Sequence, residues 1–65
     1  MSEADEFYQR AVDLVVREQR ASTSFVQRSF RLQYNIAAKI MERMEAEGII
    51  TAPNHVGKRR ILMEN

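Results

Sequence analysis

The chain has 65 residues, a formal net charge of +1, one histidine and no cysteine. Its length predicts a single domain over residues 1–65, near the lower size limit for a core that folds without disulfides or metals, and no apolar run approaches the ~20 residues of a membrane span. These features exclude disulfides, thiolate metal sites and a histidine zinc site, and we expect a soluble cytoplasmic domain with no metal, no cofactor and no membrane contact.

The charges are unevenly placed along the chain. Residues 19–41 and 51–63 contain no Asp or Glu, and together these two segments carry a formal charge of +7. Solvated surface arginines are the default explanation for scattered basic residues. Segregation this complete is explained economically by an anionic partner, and DNA is the partner that we expect.

Apolar residues at helical spacing predict a first helix over residues 5–19. Asp5 is the expected N-cap of this helix, and the acidic residues near it suit the positive end of the helix dipole. A second helix is predicted over residues 24–30, because Ser24 and Gln27 have the spacing of a capping box.

A third helix is predicted over residues 34–47, after a short turn in which Leu32 points inward, and Gly48 is expected to end it as a left-handed C-cap. The two faces of this helix differ. At about 100° per residue, the expected core face holds Tyr34, Ala37, Ala38, Met41 and Met44. The opposite stripe holds Asn35, Lys39 and Glu42. Ile36 falls on the exposed side, where it can touch a thymine methyl group, pack on the wing or a partner, or simply stay exposed.

Two short strand signals, at residues 49–51 and 60–63, flank a segment of turn-forming residues. We therefore predict a β-hairpin over residues 49–63. Residues 21–23 can add a third strand, and Met63 is expected on the inner face of the sheet. Three helices followed by a hairpin are typical of a small winged helix-turn-helix, which is an α+β fold.

The outer stripe of the third helix holds side chains that can read base edges in a DNA major groove. Asn35 can pair with adenine, Lys39 with guanine, and Glu42 with the amino group of cytosine. A solvated helix face is the alternative, with Lys39 and Glu42 forming a plain surface ion pair. The helix-turn-helix context favours base reading, with this helix as the recognition helix.

A second set of residues is expected to hold the DNA backbone or to arm the wing. The set consists of Ser22, Ser24, Arg28, Arg31, Arg43, His55, Lys58, Arg59 and Arg60. A solubilising hairpin tip is the alternative for the wing residues. No phosphate-binding loop, nucleophile motif or metal-ligand motif occurs in the chain, so we expect no enzyme activity.

Several short motifs occur together along the chain. They are A-V at residues 11–12, A-S-x-S at 21–24, V-Q-R at 26–28, Y-N-x-A-A at 34–38, M-E-x-x-G-I at 44–49 and G-K-R at 57–59. In this combination the chain, from about Phe7 to Leu62, resembles the gamma domain at the C-terminus of the FtsK/SpoIIIE DNA translocases. The resemblance implies a winged helix that recognises short, strand-asymmetric octamers and so orients a hexameric motor on the chromosome.

The resemblance also implies partners and site residues. In FtsK proteins the domain contacts the XerD recombinase, several copies share one DNA site, and the parent translocase is anchored in the inner membrane. In that family an asparagine, a basic residue and a glutamate read bases at the positions held here by Asn35, Lys39 and Glu42. Because the chain has no Walker A motif, it is either a domain excised from a motor or a complete small protein that begins at Met1.

The chain departs from the family pattern at four positions. The family usually has glycine where Gln33 stands, arginine where Ile36 stands, arginine where Lys39 stands and glutamate where Arg60 stands. Lysine lacks the planar fork with which arginine binds guanine, so the resemblance implies DNA binding more directly than it implies the family's exact DNA sequence. Two other functions remain open: a free-standing competitor or transcription regulator, and a protein-interaction module that docks a partner instead of DNA.

Overall fold

A computed structural model describes residues 2–64 of the chain. Its regular elements are three helices: α1 (Glu3–Glu18), α2 (Thr23–Phe30) and α3 (Tyr34–Ala46). Helix α3 packs against both of the other helices, whereas α1 and α2 contact each other less extensively. The third helix is therefore the central element. Within the described residues, no helix is long and apolar enough to cross a membrane.

Helix α1 begins earlier than the sequence predicts. Ser2 is its N-cap, and the Ser2 side chain accepts a hydrogen bond of 3.2 Å from the backbone N–H of Asp5. The prediction that Asp5 caps this helix is wrong, because a serine three residues upstream already satisfies one of the free amides of the first turn. Asp5 lies instead within that first turn, where its carboxylate suits the helix dipole.

Helix α2 also begins earlier than predicted, because its N-cap lies two residues before the expected one. Ser22 is the N-cap, with its Oγ 3.3 Å from the backbone nitrogen of Phe25, and Ser24 lies inside the first turn with its Oγ 3.0 Å from that of Ser22. The predicted capping box starting at Ser24 is therefore wrong. The third strand predicted at residues 21–23 does not form, because the chain turns there directly into the helix.

The buried face of α3 follows the predicted periodicity. Ala37, Met41 and Met44 are fully buried. Tyr34 is 62% exposed, so its predicted place in the core is wrong: as the first residue of α3 it lies at the end of the packed face. Ile36 is half-buried and packs against the core, so it is not simply exposed, and its contact with a thymine methyl group stays a prediction.

The turns on either side of α3 match two predictions. Leu32 is buried, as predicted for the turn before the helix. Gly48 has a φ of 78°, and the N–H of Ile49 donates to the carbonyl of Met44 over 2.9 Å. This is a left-handed helix end of the kind that favours glycine, so the predicted C-cap is confirmed.

The segment after α3 returns antiparallel to itself but forms almost no sheet. Its regular pairing is one isolated bridge between Ile50 and Ile61. The N–H of Thr51 donates to the carbonyl of Arg60 over 2.9 Å, but the N–H of Arg60 donates to the side-chain Oγ1 of Thr51 rather than to its carbonyl. A second bridge therefore does not form at this pair. The predicted α+β hairpin over residues 49–63 is therefore reduced to this bridge within residues 2–64. Met63 is 48% exposed, which makes its predicted inward position wrong.

A cluster of polar side chains joins the start of α1 to the end of α3. The Tyr8 hydroxyl donates to Glu47 Oε1 over 2.7 Å, and Arg43 Nε donates to Glu47 Oε2 over 3.0 Å. The Arg43 guanidinium also lies 3.9 Å from the centre of the Tyr8 ring and 3.3 Å from an Asp5 carboxylate oxygen. Hydrogen bonds, an ion pair and a cation–π contact thus meet on one arginine.

The cluster changes the ionisation of its members. Burial, aided by the hydrogen bond to Glu47, raises the pKa of Tyr8 to about 12. The hydrogen bonds from Tyr8 and Arg43 lower the pKa of Glu47 from its ordinary value. The hydrogen bond to Glu47 raises the pKa of Arg43 further above its usual range. All three residues therefore hold the ionisation state that favours the cluster near neutral pH.

The position of the α2 cap gives a first prediction. Replacing Ser22 with alanine removes the acceptor for the Phe25 amide, and we expect it to lower the free energy of unfolding by about 1 kcal/mol. The matched control is Ser24→Ala, which removes a hydroxyl one residue into the helix and should cost clearly less. Urea unfolding followed by circular dichroism measures both variants. A larger loss of unfolding free energy for Ser24→Ala would show that Ser24, and not Ser22, is the N-cap.

The Tyr8–Glu47 hydrogen bond gives a second prediction, on acid stability. The pKa of Glu47 is lower in the folded chain than in the unfolded chain. Its carboxylate therefore stabilises the fold at any pH above the unfolded pKa, and this stabilisation is lost as the pH falls through the folded pKa. We expect Glu47→Gln to be less stable at neutral pH and to lose less stability between about pH 5 and pH 3. Glu42→Gln, at an exposed position of the same helix, is the control. If Glu47→Gln lost as much stability on acidification as the unmodified chain, Glu47 would not be the source of this pH dependence.

Candidate nucleic-acid interface

The stripe of Asn35, Lys39 and Glu42 lies on the outer face of α3. All three residues are exposed, and at about 100° per residue they fall within about 60° of helix circumference. The buried residues of the helix occupy the opposite side. The stripe is therefore directed into solvent along the length of the helix.

The three stripe side chains have no partner among the described residues. The ion pairs of residues 2–64 involve other side chains, and no side-chain hydrogen bond of this part of the chain involves Asn35, Lys39 or Glu42. The plain Lys39–Glu42 ion pair, which the sequence leaves open, is thus absent from this part of the chain. An amide, an ammonium group and a carboxylate stand free on one helix face, and each can pair with a polar edge of a base.

Charged residues on the two flanks of the stripe are engaged with other parts of the protein. On one flank Arg43 contacts Asp5, Tyr8 and Glu47, as described above. On the other flank Glu45 accepts a hydrogen bond of 2.8 Å from Arg59. Arg43, predicted to contact DNA, therefore has its guanidinium turned toward α1, and its contact with DNA stays a prediction.

The four predicted wing residues do not share one environment. His55, Lys58 and Arg60 are exposed. The Arg59 side chain is only 14% exposed, and its Nη1 donates to Glu45 and also, over 3.1 Å, to the backbone carbonyl of Thr51. Sequence reasoning missed this contact because Arg59 and Glu45 are 14 residues apart, and no helical or strand periodicity relates them.

Asn54 orders the tip of the segment that carries these residues. Its Oδ1 accepts hydrogen bonds from the backbone N–H groups of Val56 (3.0 Å) and Lys58 (2.9 Å), and Gly57 has a φ of 84°. An asparagine that bonds to following amides is a recognised turn former, and the Asn-to-Gly spacing was the available signal. The tip presents Val56, which is 64% exposed, two residues before the exposed Lys58.

Four residues in and around α2 are predicted to contact the DNA backbone, and two of them, the serines, are hydrogen-bonded within the protein. The hydroxyl of Ser22 caps the helix and lies against that of Ser24. Arg28 and Arg31 are exposed, and Arg31 forms the left-handed C-cap of α2 with a φ of 54°. The two arginines therefore offer free charge at the end of α2, whereas the serines serve mainly to start that helix.

A metal-binding group of side chains does not assemble among the described residues. No group of three or more acidic or imidazole side chains there can hold a metal ion. Two open grooves, of about 370 and 320 Å³, run along α1, and both are lined by Asp13 and Arg17. Neither groove includes a residue of α3.

Known proteins resemble this chain over nearly its whole length. The sequence model of a family described as the FtsK gamma domain matches residues 2–64. A DNA translocase FtsK of Caulobacter vibrioides is 52% identical over 59 residues, which cover 91% of this chain and 7% of that protein. The DNA translocase FtsK of Rickettsia typhi is 52% identical over 56 residues (86% of this chain, 8% of that protein).

A third relative extends the match. The DNA translocase FtsK of Brucella melitensis is 49% identical over 63 residues, covering 97% of this chain and 8% of that protein. The chain thus spans only 7–8% of the length of these curated relatives. The resemblance inferred from the short motifs is confirmed: the chain belongs to the FtsK gamma domain family.

Proposed function

We propose that the chain is a sequence-specific double-stranded DNA-binding module that works with a DNA translocase. The observation that carries this proposal is the unpartnered stripe of Asn35, Lys39 and Glu42 on the outer face of α3. Membership of the FtsK gamma family associates the domain with a translocase. The chain would supply recognition, without catalytic activity, and a motor would supply movement.

In this proposal α2, the turn after it and α3 serve as a helix-turn-helix, with α3 as the recognition helix in the major groove. Asn35 pairs with adenine, Lys39 with guanine O6 and N7, and Glu42 with the cytosine amino group. A carboxylate on a DNA-facing helix repels phosphates. The place of Glu42 within the stripe is therefore better explained by base reading than by adhesion.

The backbone contacts are proposed for exposed cations on both sides of the recognition helix. Arg28 and Arg31 lie at the end of α2, and Lys58 and Arg60 lie on the segment after α3. We propose that this segment acts as the wing of a winged helix although it contains a single β-bridge, because the Asn54 turn fixes the backbone at its tip. Contacts of this kind set register and affinity rather than sequence preference.

A lone module should bind weakly, because one small winged helix buries little surface on DNA. We therefore propose that several copies act together on one polar octamer, as the family resemblance implies. Contact with an XerD-type recombinase, placement in the cytoplasm beneath a membrane-anchored motor, and a free-standing role stay predictions.

The direct test is selection from a library of duplexes with a randomised centre, followed by titration of the selected duplex and a scrambled control at two salt concentrations. A DNA-reading module enriches one non-palindromic sequence and binds it more tightly than the control. A palindromic motif bound by a dimer would indicate an independent transcription regulator. Negligible affinity for every duplex, even at low salt, would leave a protein-interaction module.

The stripe gives a third prediction. Asn35→Ala and Lys39→Ala should each reduce the discrimination between selected and scrambled duplex by about 1–3 kcal/mol, because each removes a side chain that pairs with a base edge. Fluorescence anisotropy on the two duplexes measures the ratio of dissociation constants. If Lys39→Ala weakened both duplexes equally, Lys39 would be a backbone contact and not a base reader.

The exposed cations give a fourth prediction. Arg28→Ala and Lys58→Ala should weaken both duplexes about equally and lower the slope of log affinity against log salt by about 1 each, because each loses one phosphate contact. The matched control is Arg10→Ala on α1, whose guanidinium lies 4.4 Å from the centre of the Phe7 ring. A fall in slope for Arg10→Ala as large as for Lys58→Ala would show that the effect reports net charge and not the interface.

A further inference from the structure

Arg59 differs from the cations beside it in the segment after α3. Its side chain is 14% exposed, while Lys58 and Arg60 on either side of it are exposed. Its Nη1 donates to Glu45 Oε1 over 2.8 Å and to the carbonyl of Thr51 over 3.1 Å. The guanidinium is thus enclosed by two acceptors of the protein itself.

The two acceptors belong to different parts of the fold. Glu45 lies on α3, one turn after Glu42, whereas Thr51 precedes the Asn54 turn and Arg59 follows it. One guanidinium therefore joins both arms of the returning segment to the recognition helix. Both bonds come from Nη1, whose two N–H groups have fixed directions in the guanidinium plane. A lysine ammonium lacks this fixed planar geometry.

The contact also changes the charge beside the stripe. Without Arg59, Glu45 would add a second free carboxylate on α3 close to Glu42, and both would face incoming phosphates. With Arg59 in place, the carboxylate of Glu45 is neutralised and Glu42 is the acid left free on that part of the helix. A phosphate contact by Arg59 would require breaking this bond and would leave Glu45 unpaired next to the DNA.

We propose that Arg59 is a positioning residue of the DNA interface rather than a phosphate contact: paired with Glu45, it sets the wing against α3 and neutralises a carboxylate beside the base-reading stripe. This inference rests on the proposed function. The neighbouring Lys58 and Arg60 bind phosphates. Arg59 holds the segment after α3 in the position from which these two cations and the stripe reach the same duplex.

The fifth prediction separates positioning from contact by the ratio of affinities for selected and scrambled duplex. We expect Arg59→Ala and Glu45→Ala each to lower this ratio by about threefold to tenfold. The double variant should be no worse than either single variant, because both substitutions break one shared contact. Lys58→Ala, the adjacent exposed cation, should leave the ratio unchanged while lowering the salt slope.

Arg59→Lys gives a second measurement, and it keeps the positive charge. A positioning role predicts that lysine restores little of the ratio, whereas a phosphate contact predicts that lysine restores affinity for both duplexes. Circular dichroism of each variant confirms that the helices are retained.

The outcomes for the two proposals are distinct. If the unmodified chain discriminates and Arg59→Ala weakens both duplexes equally with a lower salt slope, Arg59 contacts phosphate and the positioning role is overturned. Glu45→Ala would then strengthen both duplexes. If the unmodified chain binds selected and scrambled duplexes equally, or binds neither, the proposed sequence-specific DNA binding and the inference that rests on it both fail.

Discussion

Burial of one face of α3 is the constraint on which the rest of the molecule depends. Ala37, Met41 and Met44 have no exposed surface, and the other two helices pack around them. Because a helix repeats every 3.6 residues, burying these positions turns Asn35, Lys39 and Glu42 outward together. The same packing that stabilises this small domain therefore determines which side chains can meet a partner.

Packing fixes the direction of the stripe, and ion pairs fix what lies beside it. On one flank Arg43 connects α3 to the start of α1, and on the other Arg59 connects α3 to the segment that follows it. Arg43 pairs with Glu47, the residue that caps the end of α3, and Arg59 pairs with Glu45 within the helix. The acidic end of this helix is thus neutralised from two sides, which lowers its repulsion of an anionic partner.

Sequence reasoning succeeded where the signal was local and periodic. The helices, the buried face of α3 and the Gly48 helix end follow from hydrophobic spacing and glycine chemistry. It erred where two local options competed, since Ser22 and Ser24 are both good caps and the choice depends on where the preceding chain becomes extended. The sheet was over-predicted because Thr51 offers its side chain, and not its carbonyl, to the Arg60 amide.

Contacts between distant residues explain the rest of the difference. Charge segregation grouped Arg59 with Lys58 and Arg60, because composition cannot distinguish an enclosed guanidinium from a free one. Ile36 shows the converse. It stands where the family resemblance implies arginine, and it packs against the core instead of entering solvent. A half-buried isoleucine adds apolar contact at the edge of the stripe and removes a charged reader. In the proposed function, the base-reading side chains are therefore an amide, a lysine and a glutamate, and discrimination by so few groups would depend on how firmly the two flanks hold them.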